Sequence, residues 1–256
     1  MIIQKLTWAG VAISCGENTV LIDPLNMTGE HRVRSLSANM GEPREKMFPL
    51  SEIQNVSSIF VTHLHPDHFD PDSIQAAYGS DIPVHVPAES VETARKTGLQ
   101  NVIGLQVGEN VNDGTMSVTA ARSVDGFGAP QVAWIVKCNG RSVIHCGDTL
   151  WHGYWWQIAR QYGPIDVACL PVNGAVLQIP GLPEQSNLPA CMTPEEAVEA
   201  ARLLGVNQLI PIHFHTFHHP PFYIETPKLL ERLHKRAQER AVHIQVLAPG
   251  EKLEIS

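Results

Sequence analysis

The chain has 256 residues and a formal charge of 18 − 26 = −8 at pH 7, with 43% apolar and only 17% charged residues. That apolar content excludes a disordered chain, and no apolar run approaches the ~18–20 residues of a membrane span. The acidic balance, with no basic stripe, argues against nucleic-acid binding as the main task. With no internal repeat and no low-complexity linker, residues 1–256 are expected to form one domain with a sizeable core. The opening MIIQKLTWAG lacks the apolar region and cleavage site of a secretory signal. Five cysteines, at 15, 138, 146, 169 and 191, form an odd set without a CxxC pair. Neither a disulfide framework nor a zinc ribbon is expected, and a reducing cytoplasm fits.

In chain order, short β-rich runs are predicted at 2–8, 11–15, 20–22, 58–62, 84–86, 102–105 and 116–120. They continue at 132–137, 142–146, 166–172, 208–212 and 243–247. Asn139-Gly140 between two of these runs signals a tight hairpin. Helices are predicted at 72–78, 89–97, 193–204 and 226–240. The third has Thr193 as N-cap, Pro194 at its first position, Glu196 to close a capping box and Gly205 as stop. The stretches 24–50 and 172–192 read as loops. Two sheets with helices outside them is the layer model that this order predicts.

The chemistry concentrates in Thr62-His63-Leu64-His65-Pro66-Asp67-His68-Phe69-Asp70, which follows an apolar strand. Imidazole and carboxylate together suit zinc, manganese or iron. In extended backbone His63 and His65 point the same way and can grip one ion. Pro66 bends the chain, so Asp67 and His68 approach from another side and meet a second. Two later strands end in further donors: 142–146 runs into Gly147-Asp148, and 208–212 runs into His213.

Other polar and aromatic residues carry weaker readings. His145 either hydrogen-bonds a ligand or is a plain strand residue. His215, on the face of His213, lines the pocket or donates a proton. Trp151 and Trp155 share a helical face and pack in the core, with an aromatic wall for the substrate as the second reading. Arg32, Arg34, Arg44 and Lys46 in the loop 26–48 are solvated, or form an anion-gripping flap. His218 and His219 read as a solvated loop, His85 and His243 as ordinary strand residues, and Cys146 as a small core residue.

His63-x-His65-x-Asp67-His68, with His145-Cys-Gly-Asp148-Thr149 and Ile210-Pro-Ile-His213-Phe, resembles the metallo-β-lactamase superfamily. Thr7-Trp8-Ala9-Gly10, Leu21-Ile22-Asp23-Pro24, Asp166-Val-Ala-Cys-Leu-Pro171-Val-Asn-Gly174, Met192-Thr-Pro-Glu-Glu-Ala197 and Pro249-Gly-Glu are similar to its branch of L-ascorbate-6-phosphate lactonase-like, metal-dependent hydrolases. The resemblance implies an αββα sandwich with one or two divalent ions, Zn²⁺ or Mn²⁺, at one edge between the sheets. It implies that His63 and His65 hold the first ion, that Asp67, His68 and His213 hold the second, and that Asp148 bridges. Asp67 is then also the catalytic residue that orients the nucleophilic water, and Asp23 is structural support.

Two departures stand out. Gly10-Val11 occupies a place where the branch has Gly-His. The family's further histidine after the strand at 116–120 is missing, and the segment reads Ala120-Ala-Arg122-Ser123-Val124-Asp125-Gly126. The first ion is one ligand short unless Asp125, water or His145 substitutes. The function expected is hydrolysis of a small ester- or lactone-type substrate by metal-activated water. The alternatives are a phosphodiesterase on nucleotide or RNA and a non-catalytic metal-binding scaffold. The expected partner is a small molecule, with no nucleic acid and no membrane, and a homo-oligomer is compatible with the sequence.

Overall fold

The computed structural model describes residues 1–256, the side chains of residues 31 and 32 excepted. The first sheet has seven strands in the order β15-β1-β2-β3-β4-β5-β6. These are β1 (Ile2–Lys5), β2 (Val11–Cys15), β3 (Asn18–Ile22), β4 (Val56–Phe60), β5 (Val84–Pro87), β6 (Val102–Leu105) and β15 (Lys252–Glu254). The second has six in the order β13-β11-β10-β9-β8-β7. Its strands are β7 (Asn110–Asp113), β8 (Met116–Arg122), β9 (Val132–Cys138), β10 (Arg141–His145), β11 (Val167–Pro171) and β13 (Gln208–Ile212). A two-stranded ribbon joins β12 (Val176–Leu177) to β14 (Tyr223–Ile224).

Strict alternation along the strands builds three apolar layers. On β9, Val132, Trp134 and Val136 enter the core between the sheets, while Ala133 and Ile135 face the helices outside. Phe60 on β4 points inward, and its neighbours Ile59 and Val61 point outward. The helices α2 (Pro71–Tyr78) and α3 (Val91–Arg95) cover the first sheet through Ile74 and Ala94. The helices α4 (Trp155–Tyr162), α5 (Pro194–Leu204) and α6 (Leu229–Arg240) cover the second through Trp155, Val198 and Leu233. This is the αββα sandwich expected.

Local signals held where they were strong. Thr193 and Glu196 close the capping box, and Gly205 ends α5 in the left-handed conformation. Asn139 and Gly140 take φ of 51° and 75° and turn β9 into β10. Three expectations need correction. The loop 24–50 contains a helix, α1 (Glu30–Met40), which lies over the site. Residues 243–247 form a single bridge, Leu209 to Ile244, rather than a strand. Cys15 and Cys138 form a disulfide, with Cα atoms 6.5 Å apart. Both face the core between the sheets, from β2 and β9, so alternation on two strands that are remote in sequence brings them together. The cross-sheet bridge removes the argument for a reducing compartment from cysteine usage.

Candidate metal centre

The donors lie at the ends of strands, along one edge of the sandwich. Beyond β4 the chain stays extended to Thr62, whose carbonyl accepts from Val132 N–H (3.0 Å) and so ties the two sheets. His68 and Phe69 N–H then both return to the His65 carbonyl (3.0 and 2.9 Å), the tight turn that Pro66 predicts. Asp70 caps α2 by accepting from Ser73 N–H.

Asp23, fully buried after β3, holds both ends of the motif. Its carboxylate accepts from Thr62 N–H (2.7 Å) and Thr62 Oγ1 (2.6 Å), and it pairs with His68 Nδ1 at 2.8 Å. That bond turns His68 Nε2 toward the site. Asp67 faces inward from the other side. Its Oδ2 accepts from Trp8 Nε1 (3.0 Å) and lies 3.2 Å from His213 Nε2 and 3.5 Å from His68 Nε2. Asp148 follows β10, with Oδ1 3.4 Å from His213 Nδ1. His213 follows β13 with a left-handed φ of 57°, a conformation rare for a side-chain-bearing residue.

The structure thus brings all six sequence-predicted residues together. Their donor atoms fall into overlapping sets within 4.8 Å: Asp67, His68 and His213; His63, His68 and Asp148; and His63, His65 and Asp125. Asp125 Oδ1 lies 3.5 Å from His65 Nδ1 and 3.9 Å from His63 Nε2, in the gap left by the missing histidine. Its other oxygen accepts from Phe127 and Ala129 N–H (2.8 and 2.9 Å), which fixes the carboxylate. Ser123, two residues before Asp125, donates to the Cys146 carbonyl and accepts from Gln131 (2.8 Å each).

The electrostatics fit a cation. His63 Nε2, His68 Nε2, His213 Nδ1 and Asp148 Oδ1 are buried and, among the described residues, have no hydrogen-bond partner. Each such orphan costs about 1–3 kcal/mol if nothing satisfies it, and each belongs to at least one donor set that a divalent ion would satisfy. Burial, then His68 and His65 nearby, pushes His63 well below the usual imidazole value, the unprotonated state of a ligand. Burial alone would raise the Asp67 carboxyl, but His68 and His213 hold it well below the carboxylate range. Burial likewise opposes a charge on His68, yet Asp67 and Asp23 lift it to about 9. Asp148 is raised, chiefly by burial.

Several expected neighbours lie elsewhere. His145 Nε2 meets the Ala9 carbonyl (2.8 Å) and its Nδ1 accepts from Gly147 N–H (3.2 Å), so it supports the Gly-Asp turn and has no free nitrogen. His215 takes φ of 73°, which breaks the two-residue alternation after His213; it is exposed and faces a separate groove with Arg44 and His218. Trp155 is core, while Trp151, Tyr154 and Trp156 are exposed and do not border the site cavity. Arg34 pairs with Glu30 in solvent (3.3 Å) and Arg44 borders the groove of His215, so among the described residues Arg34, Arg44 and Lys46 do not border the site cavity; Arg32 lies outside the described side chains.

Beside these donors opens a cavity of about 260 Å³, bordered by Leu36, Met40, Phe127, Leu177, Ile179 and Tyr223 among others. Among the described residues no Lys or Arg borders it. Sequence reasoning missed Trp8, Phe127, Cys191 and Tyr223 at this site. Trp8 alone carried a signal, in the Thr7-Trp8-Ala9-Gly10 segment.

Trp8 is itself held from below. Lys5, buried on β1, donates from Nζ to the Leu6 and Trp8 carbonyls (2.5 Å each). Burial pulls its pKa from 10.5 down to about 7. Between those values the unfolded chain holds a proton that the folded chain has released, so stability climbs as pH rises from 7 toward 10. The gain is at most about 1.4 kcal/mol per pH unit in that window. Urea midpoints at several pH values should rise more steeply for the wild type than for Lys5→Met, since titrations common to both cancel. Equal slopes would show that Lys5 stays charged in the fold.

Residues 18–214 match the model of the Beta-lactamase superfamily domain. A UPF0173 metal-dependent hydrolase of Rubrobacter xylanophilus is 32% identical over 250 residues, covering 93% of this chain and 89% of that protein. A second metal-dependent hydrolase of that name, from Thermococcus kodakarensis, is 30% identical over 247 residues, covering 94% and 93%. Among solved structures, the isothiocyanate hydrolase from Delia radicum gut bacteria shares the fold with a TM-score of 0.78, 18% identity, and coverage of 100% and 99%. The chain belongs to the metallo-β-lactamase superfamily, and within it to the metal-dependent hydrolases.

Proposed function

We propose that the chain hydrolyses a small, uncharged ester- or lactone-type substrate with one or two divalent cations, Zn²⁺ or Mn²⁺. The observation that carries this reading is the set of orphaned, buried donors, of which His213 and Asp148 border an apolar cavity free of basic side chains among the described residues. His63, His65 and Asp125 would hold one ion, and Asp67, His68 and His213 the other. Asp148 shares a donor set with His63 and His68 and lies beside His213, which suits a bridge. A divalent ion bound there supplies Lewis acidity and a nucleophilic water at neutral pH.

The chain's own residues supply the rest. Asp67, kept ionised by His68 and His213 and oriented by the Trp8 N–H, accepts a hydrogen bond from the attacking water and takes its proton. Asp23 keeps His68 in the orientation that presents Nε2. The apolar walls seat the organic part of the substrate and exclude bulk water. His215 faces a separate groove and so does not serve as the acid for the leaving group.

Apart from the proposed metal ions, no described Lys or Arg borders the cavity to pair with the further phosphates of a nucleotide or RNA, which disfavours that reading. The test is a panel of lactones, carboxylic esters, thioesters and phosphodiesters with Zn²⁺ or Mn²⁺ added to metal-free protein. Turnover of esters or lactones, abolished by chelator and restored by metal, is expected. Preference for phosphodiesters would overturn the substrate class. Tight metal binding with no turnover on any member would favour the scaffold.

A further inference from the structure

We propose that Cys191 is a cation ligand, its sulfur joining Asp148 and His213 in a position that the histidine-rich motif does not supply. This rests on the metal-dependent reading above. Cys191 lies two residues before the cap of α5, outside the motif. Its sulfur, a carboxylate oxygen of Asp148 and a ring nitrogen of His213 lie within 4.8 Å of one another, and His213 would serve this set through Nδ1, as the alternative to offering Nε2 beside Asp67 and His68. The side chain is 1% exposed and borders the site cavity.

Independent observations point to a ligand here. His213 is 2% exposed, and its Nδ1, which faces Asp148, is an orphan; so is Asp148 Oδ1. The backbone around Cys191 is clamped on both sides, by Ala190 N–H to the Ala175 carbonyl (2.8 Å) and Met192 N–H to the Thr149 carbonyl (3.0 Å). The second bond ties the cysteine to the residue after Asp148. Gly126 adds a third constraint, because a Cβ there would lie 2.0 Å from the Ala190 carbonyl oxygen. A sulfur held so firmly beside two unsatisfied donors is placed as a ligand is placed.

The neighbours accommodate either protonation state. The thiol donates to Asn173 Oδ1 (2.5 Å), and Asn173 Nδ2 donates to the Tyr223 hydroxyl oxygen (2.5 Å). With the amide turned over, Asn173 donates to a thiolate and accepts from the Tyr223 hydroxyl instead. On binding, the S–H bond breaks, its electron pair forms the sulfur–metal bond, and the proton leaves to the buffer. A soft sulfur in this set shifts preference from manganese toward zinc.

Co²⁺ is the probe. Titrated into metal-free wild type, it should give a sulfur-to-cobalt charge-transfer band in the near ultraviolet. The band should be absent in Cys191→Ser and kept in Cys146→Ser and Cys169→Ser. Cys191→Ser should also lower zinc affinity roughly 10–100-fold, with a smaller effect on manganese. X-ray absorption of zinc-loaded wild type, which needs no variant to fold, should find one sulfur in the zinc shell. Cobalt bound with no such band, a band that survives in Cys191→Ser, or a zinc shell of nitrogen and oxygen alone would overturn the role of Cys191 and leave the hydrolase reading standing. No uptake of either metal by the wild type would overturn both.

Discussion

Asp67→Asn should leave the fold intact and lower turnover by roughly 10²–10⁴-fold, the range of a lost general base. The amide is isosteric, and its oxygen can still accept from Trp8 Nε1, the 3.0 Å bond that Asp67 makes. What is lost is charge. An amide neither takes a proton from water nor offers the anionic oxygen that faces His68 and His213 at 3.5 and 3.2 Å. Turnover should be measured at saturating Zn²⁺ and Mn²⁺, with metal content determined on the same samples, so that weaker binding is separated from slower chemistry. Near-normal turnover in a fully loaded variant would reduce Asp67 to a structural acceptor for the indole.

Asp125→Asn should weaken one cation roughly 10–100-fold and leave the other nearly unchanged. The amide oxygen can keep the bonds to Phe127 and Ala129 N–H, so the loop survives while the charge facing His63 and His65 is removed. Ser123→His should not restore the loss, because Ser123 is engaged with Cys146 and Gln131. Competition with a chromophoric chelator reads both ions in one titration. Unchanged curves for Asp125→Asn would remove Asp125 from the site. The sequence alone suggested unequal positions, since His63 and His65 lacked a third partner. With Asp125 in that gap each position has three donors besides Asp148, so the wild-type ions should leave over a narrower range of chelator than that reading implied.

Those variants probe a site whose parts differ in how legible they were. His63, His65, Asp67 and His68 were readable because ligation by neighbours leaves a local mark: four donors in six residues after an apolar strand. Asp148 and His213 were readable only as donors at strand ends, and the family resemblance made them a set. The inward and outward alternation of β9, the Asn139-Gly140 hairpin and the Thr193 capping box were legible for the same reason, since each is a relation between residues a few positions apart.

What the sequence by itself determined was therefore the layer order, the strongest turns and caps, and the chemistry of the motif. Only the tertiary structure decided which remote residues complete it. Trp8 reaches Asp67 across 59 positions, and His213 reaches it across 146. Asp125, one of three substitutes that the sequence left open for the missing histidine, is the one whose carboxylate lies beside His63 and His65. Cys191 carries no motif, and α1 lies in a stretch whose glycines and prolines read as loop. Lys5 is buried by its strand against two carbonyls, a placement that no local pattern marks. The physical reason is common to all of these. Periodicity and capping act over one or two turns of chain, whereas these contacts depend on which strands become neighbours, and strand order is set by burial summed over the whole sandwich.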